Sequence, residues 1–131
     1  TRAQKVANIA ADLPPLAVMG ERTGDLLVLG WGSPRGAITA AVQRLQKQGH
    51  KVSCAFLRHL NPLPNDLEAL MRGFAKVVLP ELNKGQLAMM LRAKYLIDVQ
   101  SHSQVNGQPF KSHELEQHFT RVLASVKETR R

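Results

Sequence analysis

The chain is poor in the residues that announce many chemistries. Its 131 residues include one cysteine, Cys54, and only 5% aromatic side chains. One cysteine excludes a disulfide framework and an all-cysteine metal site. So few aromatics leave few stacking platforms for single-stranded nucleic acid. No apolar run approaches the ~20 residues that span a bilayer, and no charged-then-apolar leader follows Thr1. The expectation is a soluble, cytoplasmic protein that meets no membrane. The chain opens on Thr1 without a Met, which predicts a piece of a longer polypeptide.

What is present is one domain's worth of core. Hydrophobic residues make up 44% of the chain and charged residues 21%, which excludes a disordered polymer. The net charge is +8. Residues 1–24 carry three cations against two acids, 25–110 ten against five, and 111–131 five against three. The excess is spread along the chain. A nucleic-acid surface concentrates it on one face or helix, so no nucleic-acid partner is expected.

Periodicity gives the elements. Residues 3–11 favour a helix, and Pro14-Pro15 end it. Residues 12–24 read as an extended linker, so 1–24 form a lead-in arm and 25–131 the domain proper. Leu26-Leu27-Val28-Leu29, between Gly24 and Gly30, is the apolar run of a strand buried on both faces. Ser33 with Pro34 can cap a helix striped by Ile38, Val42 and Leu45 and closed by Gly49. A strand over 51–57 follows, then the loop Asn61-Pro62-Leu63-Pro64 and a short helix with Leu67, Leu70 and Met71. A third strand spans 76–80. Asn83 and Gln86 have capping-box spacing before a helix carrying Leu87, Met90 and Leu91. A fourth strand is expected over 95–99, a polar loop with Asn106-Gly107 over 101–109, and a last helix over 112–126. Its stripe is Leu115, Phe119, Val122 and Val126. Alternating strands and helices predict an α/β fold, a mainly parallel sheet with helices on both faces.

Candidate sites are few. Gly30-Trp31-Gly32-Ser33-Pro34-Arg35-Gly36 lies where a phosphate-binding loop would lie, but Pro34 removes an amide and the glycine spacing departs from the dinucleotide pattern. His113 and His118 are five apart, about 140° out of line on a helix, where zinc needs four. All five histidines read as surface or hydrogen-bonding residues. Cys54 reads as a small buried hydrophobe. The strand ends carry polar groups in turn: Ser33 and Arg35; Arg58, His59 and Asn61; Glu81 and Asn83; Gln100, Ser101 and His102. Ligands and partners of open α/β sheets meet them outside these ends. Arg58, His59, Asn61, Glu81, Asn83 and Gln86 are the candidate rim. Arg58 and Glu81 could pair there, and Asn83 could serve as a helix cap.

These blocks resemble a known family. Leu29 to Gly36, Arg58-His-Leu-Asn-Pro62, Pro80-Glu-Leu-Asn-Lys-Gly-Gln-Leu87, Tyr95 to Ser101 and Gly107 to Phe110 are similar to the C-terminal domain of the α subunit of 2-oxoacid:ferredoxin oxidoreductases, the 2-oxoglutarate type above all. Pro34-Arg35 departs from the family pattern. The resemblance implies a three-layer α/β/α sandwich like the transketolase C-terminal domain. It implies an enzyme that converts 2-oxoglutarate to succinyl-CoA using thiamine diphosphate, Mg²⁺ and an iron–sulfur cluster. Its partners would be the other α-subunit domains, the β subunit, ferredoxin and CoA. No Gly-Asp-Gly diphosphate motif and no cysteine set stand in this sequence. The implied role is therefore non-catalytic, with no catalytic, cofactor or metal residue: assembly, and shaping of the active-site entrance. The alternative from the residues alone is a free-standing anion- or nucleotide-binding module using the Gly30–Gly36 loop.

Overall fold

A computed structural model describes residues 15–32, 35–58, 60, 63–82, 85–104 and 108–129. Its elements are β1 (Val18–Met19), β2 (Gly24–Trp31), α1 (Arg35–Lys47), β3 (Val52–Leu57), α2 (Leu67–Arg72), β4 (Phe74–Glu81), α3 (Gln86–Tyr95), β5 (Val99–Ser103) and α4 (Ser112–Thr129). The sheet order is β1-β3-β2-β4-β5. Only β1 is antiparallel; β3, β2, β4 and β5 run parallel.

The order follows from handedness. The chain leaves β2, steps one way to β3, then crosses back over β2 to β4 and on to β5. Right-handed crossovers require the covering helices to change face when the direction reverses. Accordingly α1 and α4 cover one face, over Leu26, Val28, Val52, Cys54 and Val78. Helices α2 and α3 cover the other, over Leu27, Leu29, Leu57, Val77, Leu79 and Val99. The expected three-layer α/β/α sandwich is the architecture found. Leu26 to Leu29 have no exposed surface at all, as a strand sealed on both faces requires.

Several local expectations need correction. The segment ahead of β2 is extended, but it joins the sheet. Val18 and Met19 pair with Ala55 and Cys54, and Leu16 enters the core. Arg22 pins this segment: it donates to Leu16 O at 3.0 Å and to Asp66 Oδ2 at 2.8 Å, while Leu16 N–H donates to the same carboxylate at 2.9 Å. The fourth strand is β5 over Val99–Ser103, not 95–99. Tyr95 ends α3, and Leu96 turns the chain in the left-handed region at φ 56°. The apolar run Tyr95-Leu96-Ile97 mimics a strand, whereas the true edge strand, Val99-Gln-Ser-His-Ser, is mostly polar. Pairing fixes it: Val77 lies opposite Val99 and Glu81 opposite Ser103. Met90 leaves the expected stripe; α3 buries Leu87, Ala88 and Leu91 instead. The helix expected over 3–11, the cap Ser33-Pro34 and the turn Asn106-Gly107 lie outside the described residues.

The long helix α4 behaves as its stripe predicts. Leu115, Phe119, Val122, Leu123 and Val126 are all buried. Phe119 is wholly out of water between α4 and the α1 side of the sheet. Phe119→Ala is expected to cost about 3–5 kcal/mol through lost transfer energy and the cavity left behind. Urea unfolding of the two chains measures this; a cost below 1 kcal/mol would contradict the packing.

Candidate functional site: the rim at the strand carboxyl ends

The direction of winding reverses between β2 and β4, so their carboxyl ends form the topological switch point. Trp31 closes β2, Glu81 closes β4, Arg58 follows β3, and Ser101 to Ser103 end β5. Of the six candidate rim residues, Arg58 and Gln86 are exposed and Glu81 is buried. His59, Asn61 and Asn83 lie outside the described residues.

Glu81 is the organising group. It is only 5% exposed. Its carboxylate accepts the N–H of Leu87 at 2.9 Å, the N–H of Ala88 at 3.4 Å and the hydroxyl of Ser101 at 3.2 Å. These are orphan amides of the first turn of α3, at the positive end of its dipole. A carboxylate there satisfies the helix end and places its own charge well. The structural cap is thus the strand residue Glu81, with Gly85 at the N-cap position and no side-chain bond from it. The capping box expected from Asn83 lies outside the described residues; the helix begins at Gln86. Gly85 is held at φ 78°, and a Cβ there would stand 2.7 Å from Ser101 Oγ. Only glycine lets α3 approach β5 this closely.

The expected Arg58–Glu81 pair does not form. The ion pairs among the described residues are Arg22–Asp66, Arg44–Glu116 and Arg72–Glu68. Strand order explains it: β2 stands between β3 and β4, so the two strand ends are roughly 10 Å apart. Glu81 is also already committed to α3. At the α1 end of the rim, Arg35 lies 4.6 Å over the ring of Phe56.

Two histidines were not singled out by spacing, because they come together only across elements. His102 of β5 and His118 of α4 stack with ring centroids 3.9 Å apart and planes at 17°. Phe110 lies 5.8 Å from His102, and Phe119 6.2 Å from His118. Burial, the neighbouring His102 and Arg121 hold His118 down to about 4. Burial and Arg121 also lower His102, against the pull of Glu114. Cys54 is buried in β3, and desolvation raises its thiol to about 11 against the opposing charge of Arg35. It is inert rather than nucleophilic.

A cleft of about 690 Å³ opens at the other pole, beside the amino ends of β2 and β3. Its wall is bonded to itself: Ser53 Oγ donates to Glu21 O at 2.6 Å, and Gln46 Nε2 donates to Met19 O and Val52 O. None of the rim residues lines it. Among the described residues no three His, Cys, Asp or Glu side chains stand together to hold a metal ion. The single, buried Cys54 does not fit an iron–sulfur cluster, which takes several thiolates. No helix among the described residues is long and apolar enough to cross a membrane.

No family model matches the chain. The 2-oxoglutarate oxidoreductase subunit KorA of Mycobacterium tuberculosis is 47% identical over 114 residues, 86% of this chain and 17% of its own length. Subunit alpha of 2-oxoacid:ferredoxin oxidoreductase 2 from Aeropyrum pernix is 33% identical over 83% of this chain and 17% of its own. The 2-oxoglutarate:ferredoxin oxidoreductase of Magnetococcus marinus, solved with 2-oxoglutarate, coenzyme A and succinyl-CoA bound, superposes with TM-score 0.85 at 29% identity. It covers 93% of this chain and 22% of that one. A split-gene transketolase, an inactive β4 tetramer, shares the fold alone, with TM-score 0.54 at 17% identity over 87% of this chain and 40% of its own. Fold and sequence together define the class: an α/β domain related to the C-terminal portion of 2-oxoacid:ferredoxin oxidoreductase α subunits. Within that class the Mycobacterium tuberculosis relative and the Magnetococcus marinus structure are of the 2-oxoglutarate type. The chain spans about a sixth of the length of the curated relatives it matches. The alternative of a nucleotide module on the Gly30–Gly36 loop gains nothing from these relatives.

Two outcomes follow for stability. Glu81→Ala strands two helix amides and Ser101, and is expected to cost about 2–4 kcal/mol in urea unfolding. Glu81→Gln, which keeps an acceptor, should cost less; equal and negligible losses would refute the clamp. The histidine pair makes stability acid-sensitive. The unfolded chain binds a proton near pH 6.5, whereas folded His118 resists one until about pH 4. Stability is therefore full above pH 6.5 and is lost as pH falls toward 4. His118→Phe should flatten that part of the pH–stability curve; parallel curves for the two chains would show that the pair does not govern it.

Proposed function

We propose that the chain is a non-catalytic C-terminal domain of a 2-oxoglutarate:ferredoxin oxidoreductase α subunit, working in the cytoplasm. Its role is to hold the assembly together and to shape the entrance to the active site. The observation that carries this is 47% identity across 86% of the chain to a segment that makes up only 17% of its relative. The chemistry of the described residues agrees in kind: the buried carboxylate of the rim is consumed as a helix clamp, and the cysteine is buried and inert. In this reading thiamine diphosphate, Mg²⁺ and an iron–sulfur cluster belong to other parts of the enzyme. The other α-subunit domains and the β subunit are direct partners, and ferredoxin and CoA meet the complete enzyme.

The residues Arg58, His59, Asn61, Asn83 and Gln86 are the proposed contact edge, and Glu81 fixes the helix that carries Gln86. Oxidative decarboxylation of 2-oxoglutarate needs a cofactor that supplies carbanion chemistry and an electron path. The residues here supply positioning alone.

The isolated chain should show no turnover of 2-oxoglutarate with thiamine diphosphate, Mg²⁺, CoA and a viologen acceptor. Removing it from the intact subunit should abolish activity and weaken association with the β subunit at least tenfold. Robust turnover by the 131 residues would overturn the reading. A thermal-shift panel of NADP, ATP and CoA should leave the isolated chain's melting temperature unchanged, because a ligand that binds only the native state would raise it.

A further inference from the structure

Large apolar side chains remain in water, four of them near one corner of the molecule and Leu96 past the far end of α3. Among the described residues they are Trp31, Leu82, Met89, Met90 and Leu96. Val28 of β2 lies level with Val78 of β4. That pairing ends there, and each strand runs three residues further, β2 to Trp31 and β4 to Glu81, one position before Leu82. Side chains alternate along a strand, so Trp31 shares the face of Leu27 and Leu29, the face that α2 and α3 cover. Glu81 points to that face as well, because its carboxylate holds the amides of Leu87 and Ala88. Trp31, Leu82 and the first turn of α3 therefore all lie at the carboxyl ends of β2 and β4, the switch point. Met89 and Met90 are 59% and 41% exposed there, while Leu87, Ala88 and Leu91 anchor the helix inward.

An exposed apolar cluster of this kind marks an interaction surface, and methionine suits one because it adapts its shape. Charge identifies the occupant. Arg58 and Arg92 are exposed, and neither makes an ion pair among the described residues. The carboxylate at this corner, Glu81, is buried and committed. The surface is thus apolar with a cationic border. A second copy would oppose like borders, on a chain already at +8. The matched segment is 17% of a relative's length, so most of such a polypeptide is available to cover it.

We propose that Trp31, Leu82, Met89 and Met90 form the docking surface for another domain of the same α subunit, whose contact face is apolar and bordered by carboxylates. This rests on the α-subunit reading above and names the partner surface within it.

Hydrogen exchange tests it. In the intact α subunit the amides of α3, residues 86–95, should exchange at least tenfold more slowly than in the isolated 131-residue chain. The double substitution Met89→Glu/Met90→Glu should return them to the isolated-chain rate. Both side chains are exposed, so the isolated variant should keep its melting temperature within about 2 °C. Equal exchange in the intact subunit and the isolated chain would overturn the docking surface. If removing the domain still breaks the α–β complex in that case, the scaffold role stands and only the surface is wrong. If removal leaves the complex assembled and active, the α-subunit role itself fails. Dimerisation of the isolated chain that the double substitution abolishes, read by sedimentation, would overturn the proposal in favour of a second copy.

Discussion

The sealing of β2 is the constraint on which the rest depends. Leu26, Leu27, Val28 and Leu29 lose all contact with water. Complete burial of each is worth about 1.5–3 kcal/mol, but only if both sheet faces are covered. Covering both faces requires the chain to reverse its winding, because right-handed crossovers in one direction put every helix on one side. The reversal at β2 and β4 therefore follows from where the apolar residues are. It also creates the open corner at their carboxyl ends, so the demand of the core and the location of the contact surface have one origin.

Glu81 is the second consequence. A strand that ends at the switch point must hand the chain to α3, whose first amides face the sheet. Leaving those amides unpaired in a buried corner would cost about 1–3 kcal/mol each. The carboxylate meets two of them and Ser101 at once, and Gly85 removes the Cβ that would keep β5 away. A residue that reads in sequence as a chemical candidate is thereby a structural one. The same geometry leaves the outer face of α3 free of any duty to the core, and that face carries Met89 and Met90.

How far this was legible depends on whether a signal is local. The β2 run, the α1 and α4 stripes and the helix-ending Gly49 are local patterns, and the structure follows them. The polar edge strand β5 is not local: its position is fixed by pairing with β4, while the apolar residues 95–97 belong to a helix end and the turn after it. The pairing of Val18–Met19 with β3 and the stacking of His102 on His118 join residues far apart in sequence. No spacing rule finds such contacts. The strand ends themselves were largely legible, since apolar runs mark them in sequence. Which rim side chains meet was not, because that turns on β2 standing between β3 and β4.

The charge of +8 takes its meaning from the same layout. Arg22, Arg44 and Arg72 are engaged with Asp66, Glu116 and Glu68, each a surface pair. Such pairs contribute about 0–1 kcal/mol and mainly fix local geometry, as Arg22 does for the segment leading into β2. At the switch-point corner Glu81 is buried and spent beneath α3. A cationic border is then what remains around an apolar centre. Such a border steers an acidic partner and repels a like copy. The evenly spread charge thus gains a direction at the corner that the sealing of β2 had to leave open.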